Sequence, residues 1–126
     1  MKLLVDKKEV KRLNFVIGMN EAGEYVFGKT KEEVKTSEFE EHWFEFRKID
    51  YKDSVEIFNK SSTFSMADSD FKINPATLRY ERFITLVTDW SFVDGDKVKI
   101  VVNRENIGKL VPVVATYMMD LMDSEL

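Results

Sequence analysis

A chain of 126 residues, 44% of them apolar and including ten Phe, four Tyr and two Trp, can bury one core and is too short for two ordinary ones. Its 23 acidic and 19 basic residues leave a formal charge of -4 and are spread along the length, so no basic block is present to release counterions from nucleic acid. The absence of cysteine removes a disulfide framework, a thiolate metal site and a cysteine nucleophile together.

The chain begins with the apolar run Leu3-Leu4-Val5, which is too short for a signal peptide or a membrane span and predicts a soluble, cytoplasmic protein. Leu13, Phe15 and Ile17 alternate with Asn14, Val16 and Gly18. The Asn20-Glu21-Ala22-Gly23 turn and Tyr25-Val26-Phe27 then complete a predicted hairpin. Residues 28–38 are charged and weakly periodic and read as a solvated connection, with a short helical turn over 30–34. A third strand is predicted over 39–49, with His42, Phe44 and Phe46 on one side and Trp43, Glu45 and Arg47 on the other.

Asp50 can cap a helix in which Tyr51, Val55 and Phe58 form the apolar stripe and Lys52, Asp53 and Glu56 the opposite, polar face. Residues 61–73 read as a loop anchored by Phe64, Met66 and Phe71. Asn74 and Pro75 then supply an N-cap and first turn, and Ala76, Tyr80, Phe83, Ile84, Val87 and Trp90 recur at helical spacing, predicting one helix through Trp90. Asp94-Gly95 is a two-residue turn signal between Ser91-Phe92-Val93 and a strand over 97–102. Asn103 caps a further helical turn through Ile107 and Leu110. Pro112 opens a final helix whose apolar face is Val114, Met118, Leu121 and Met122. The result is a single α+β domain over 1–126, with antiparallel strands in residues 1–50 and a group of helices with a small hairpin in 51–126.

Chemistry is sparse in this pattern. His42, the single histidine, lies near Glu40, Glu41 and Glu45, but metal-ligand spacing is missing and a structural role is favoured over a small metal-dependent enzyme. Asp94 and Asp96 flank Gly95 as in part of a calcium loop, without its other acidic ligands. Asp68, Asp70, Asp89 and Asp94 are scattered acids. Ser61, Ser62, Ser65 and Ser69 lack a nucleophile-elbow setting. No glycine-rich phosphate loop is present, so no cofactor, no metal and no catalysis are expected.

The order His42-Trp43-Phe44-Glu45-Phe46-Arg47-Lys48, the 80–90 helix, Trp90-Ser91-Phe92 before an Asp-Gly turn, and Arg104-Glu105-Asn106-Ile107 resembles the small tail assembly chaperones of tailed bacteriophages. The resemblance covers 41–122 as a pattern. It implies a non-enzymatic protein of the host cytoplasm that binds tape measure and tail-tube proteins, with neither nucleic acid nor membrane as a partner. The strand-rich first forty residues depart from that pattern, and they leave a permanent tail, neck or baseplate component of the virion as the alternative. A homo-oligomer fits either role. Trp90 and Phe92, with Met118 and Met122 of the last helix, are the protein-binding residues singled out; for all four the competing reading is the core.

Overall fold

The computed structural model describes residues 1–67 and 69–126. Strand β1 (Val10–Met19) turns into β2 (Tyr25–Gly28), and a short helix α1 (Lys31–Val34) leads to β3 (Glu38–Arg47), which pairs with β1 along all of its length. At the first turn Asn20 accepts a bond from the Gly23 N–H through its carbonyl and from the Glu24 N–H through its side chain (3.0 and 2.9 Å). Gly23 takes φ 79, the left-handed conformation this turn requires. Alternation places Phe15, Phe44 and Phe46 on the core side. On the other side Val16 is also buried, because α1 lies against β1, β2 and β3 with Val34 buried in it. A Cβ at Gly18 would overlap the Thr36 hydroxyl, so the chain after α1 approaches the sheet closely there. The segment read as a solvated connection therefore contributes to packing.

Helix α2 (Tyr51–Ser61) begins at the predicted cap, where Asp50 and Asp53 form a reciprocal capping box. Its inward edge is not the predicted stripe, although Lys52 and Glu56 are exposed as expected. Asp53, Ile57 and Ser61 are buried, whereas the Tyr51, Val55 and Phe58 stripe faces solvent. Packing on the next helix and the Arg47–Asp53 ion pair (2.6 Å) decide this: a buried, paired carboxylate holds the polar edge inward. The predicted loop is a two-stranded ribbon, β4 (Ser62–Ser65) and β5 (Asp70–Ile73), and its supposed anchors Phe64, Met66 and Phe71 are exposed.

Helix α3 (Pro75–Leu86) starts as expected, with Asn74 accepting the Thr77 N–H (3.1 Å), but it ends four residues short. Val87–Trp90 instead forms β6, which pairs with the open edge of β3 and gives the order β2-β1-β3-β6. Phe44 opposes Trp90 and Phe46 opposes Val87, with a register shift between them. That bulge lets two residues spaced three apart both face the core, which is why their spacing mimicked a helix.

The Asp-Gly signal lies in a longer turn than expected. Asp94 and Val98 pair around residues 95–97, and Lys97, not Gly95, is left-handed (φ 61). Asp94 braces this loop by accepting the Asp96 and Val98 N–H groups. Among the described residues the returning segment contributes a single bridge, Val93 to Lys99, in place of a full strand. Helix α4 (Arg104–Gly108), capped by Asn103, and helix α5 (Pro112–Ser124) follow. The core joins Phe15, Phe44, Phe46 and Trp90 to Phe83 and Leu86 of α3, Ile107 of α4 and Val114, Met118, Leu121 and Met122 of α5. Arg82 and Arg79 clamp α3 to α5 through Asp123 and Asp120.

Candidate functional site

Trp90, Met118 and Met122 belong to this core, each at 1% exposure or less, and so offer no surface to a partner. The Trp90 indole N–H donates to the Ile100 carbonyl (2.7 Å), which satisfies the one polar group of that ring. Phe92 differs. It is half-buried against Trp90 and His42, and it lines an open groove of about 570 Å³ together with Tyr25, Lys97 and Lys109.

His42 sits between the rings of Phe15 and Phe92 (5.9 and 4.8 Å). Its Nδ1 meets Ser91 Oγ at 2.9 Å and its Nε2 meets Glu40 at 2.8 Å. Ser91, 49 residues away in sequence, was not among the serines weighed from sequence, and only the β3–β6 pairing brings it to the histidine. The Trp43 N–H donates to the same hydroxyl (2.9 Å), and the Ser91 N–H donates back to the Trp43 carbonyl (3.0 Å). Ser91 Oγ meets the Trp43 N–H and His42 Nδ1 at once, while Nε2 faces Glu40. The three side chains thus tie β3 to the exit of β6, which is a bracing role.

The other acids weighed from sequence are engaged locally. Asp70 accepts the Phe71 N–H. Asp89 pairs with Lys99 (2.7 Å), and that hydrogen bond holds its carboxyl below the usual range. Asp68 lies outside the described residues. Among the described residues no group of three or more His, Asp or Glu is placed to hold a metal, and no helix is long and apolar enough to cross a membrane.

The largest unexplained feature is the face made by α2 and the ribbon. Phe64 and Phe71 oppose each other across the ribbon, so they share one side, and Ile73 shares it two residues on. Phe58 of α2 stacks on Phe71 (ring centroids 5.7 Å, interplanar angle 6°), and Phe64 lies 6.4 Å from the same ring. Val55 and Tyr51 extend the surface along the helix, and Met66 extends it past the ribbon. Tyr51 is 85% exposed, Phe64 56% and Phe71 53%. Of these residues, all but Ile73 are singled out by the sequence pattern. The pattern misses that they face water, because helical spacing gives the existence of an apolar stripe and not the direction in which the helix is turned.

Comparison with known proteins finds no matching family model, no matching curated protein and no matching solved structure.

Proposed function

We propose that this chain is a non-enzymatic protein-binding domain that works in phage particle assembly, with the face formed by α2 and the β4–β5 ribbon as its docking surface. The observation that carries the binding reading is the continuous aromatic surface of Phe58, Phe64 and Phe71, extended by Tyr51 and Val55. Contiguous apolar surface of this kind on a folded chain marks an interaction site, and aromatic side chains dominate binding hot spots. The role of tail assembly chaperone, with tape measure or tail-tube protein as client, rests on the sequence resemblance over 41–122 alone, in which 87–90 is a strand in place of the end of the expected helix. The four residues singled out from sequence reduce to Phe92 as a secondary contact, since the other three hold the core.

The test is a binding titration of the purified chain against phage tape measure and tail-tube proteins, with the wild type compared to the double variant Phe64→Ser, Phe71→Ser. Saturable binding that the variant loses is the expected result. Equal binding by both proteins places the contact elsewhere. Mass spectrometry of purified particles separates the two roles: a chaperone is absent from them, whereas abundant copies identify a permanent tail, neck or baseplate component.

A further inference from the structure

We infer that, when no client is bound, a second copy of this chain covers the face of α2 and the β4–β5 ribbon, in a twofold pair set face to face. The inference rests on the docking face proposed above and names its resting partner.

Area gives the first argument. With about 150–250 Å² presented by each aromatic side chain, the exposed parts of Tyr51, Val55, Phe58, Phe64, Phe71 and Ile73, with Met66 beyond the ribbon, offer on the order of 700 Å². A standard interface takes about 800 Å² from each partner. One face set against its own copy therefore reaches the size of a stable contact.

The ribbon fixes which side is used. Phe64 and Phe71 are directly opposed and Ile73 lies two residues on, so these side chains stand on one side of the ribbon, where Phe58 of α2 stacks on Phe71. A twofold axis through that side sets the two Phe58–Phe71–Phe64 stacks against each other.

Charge does not oppose this pairing. The rim carries Lys52, Glu56, Lys60 and Asp70, which is a mixed set, so two like faces meet without a single-sign field between them. A client that binds the same face must displace the second copy, which makes client affinity fall as the chain's own concentration rises.

Sedimentation equilibrium over a concentration series tests the inference. The wild type should move from the 14.8 kDa of one chain to twice that mass, and hydrogen exchange at high concentration should be slowed over 55–66. The double variant Phe64→Ser, Phe71→Ser should remain a monomer with an unchanged circular dichroism spectrum, its self-association weakened by about a hundredfold or more. Tyr51→Ser, at a side chain already in water, gives the same reading with little risk to folding and should weaken association by a smaller factor. A wild type that stays monomeric at all concentrations overturns the pairing. So does a dimer that all of these variants retain, because its contact then lies elsewhere. Client titration at dilutions where the chain is monomeric reads the docking face separately, so loss of the pair and loss of the face are distinguishable.

Discussion

The sheet with α3 and α5 and the unit of α2 with its ribbon use the same kinds of residue to opposite ends. In the first, Phe15, Phe44, Phe83 and Trp90 meet four apolar residues of α5 and are sealed from water. In the second, Phe58, Phe64 and Phe71 stack on one another and remain exposed, while the inward edge of α2 is held by the polar pair of Asp53 and Arg47. Aromatic content thus does not locate a core. What separates the regions is whether a second layer covers the face: α5 covers the sheet, whereas among the described residues the rings of the ribbon and of α2 are left exposed.

The sharpest way to break this contrast is to remove the covering layer. Truncation after Leu110 deletes Val114, Met118, Leu121 and Met122 from the core, each worth about 1.5–3 kcal/mol. Their sum is comparable with the roughly 5–15 kcal/mol that holds a domain together, so the truncated chain should lose its cooperative thermal transition and its near-ultraviolet dichroism. If it melts as the full chain does, α5 is not part of the core. Trp90→Ala comes next, at about 3–5 kcal/mol, since it empties a fully buried site and leaves the Ile100 carbonyl without its donor; urea denaturation measures it.

Asp53 tests the inward side of α2. Removing one partner of a buried ion pair costs about 3–5 kcal/mol, and Asp53→Asn should fall at the lower end because the amide keeps part of the capping geometry. The hydrogen bond from Arg47 holds the Asp53 carboxyl well below its ordinary range against the opposing effect of burial, and that from Arg104 lowers Glu81 in the same way. Both groups bind protons more weakly folded than unfolded. Their stabilisation is therefore complete above the unfolded values, about 4, and is lost as the pH falls through the lower folded values. Melting temperature followed from pH 6 to pH 2 should drop below pH 4, and the Asp53→Asn protein should show a shallower drop.

Much of the fold was legible from the chain. The first hairpin, the third strand, the three capped helix starts at Asp50, Asn74 and Asn103, and the inward face of α5 all carry local signals: alternation, Asx caps, Pro after the cap and helical spacing. The losses share a cause. Val87 and Trp90 kept helical spacing because a bulge in a distant pairing restored it. The α2 stripe was visible, but its direction depends on Arg47, which lies on another element. The His42 and Ser91 contact joins residues that only sheet order makes neighbours. Of the docking face, the residues were readable and the exposure was not, because exposure records what the remainder of the chain leaves uncovered.

The smallest expected effect is the one that decides what the exposed aromatics are for. Phe64 is at the outer end of the ring stack and already more than half in water, so Phe64→Ser removes little burial and one ring contact with Phe71. Aromatic pairs contribute about 0.5–1.5 kcal/mol beyond their area, and substitutions at exposed sites mostly stay within about 0.5 kcal/mol. The monomer should therefore lose about 1 kcal/mol or less, a fall in Tm of about 3 °C. Phe71→Ser, which removes both ring contacts at once, should cost somewhat more. Melting measured at low concentration isolates this term from any association. A loss of several kcal/mol there would mean that the ribbon is held by its rings as a minor core, and the contrast between the two regions would be one of degree. A loss near the expected value leaves the rings little to do in the free chain, which places their contribution in the contact with a partner.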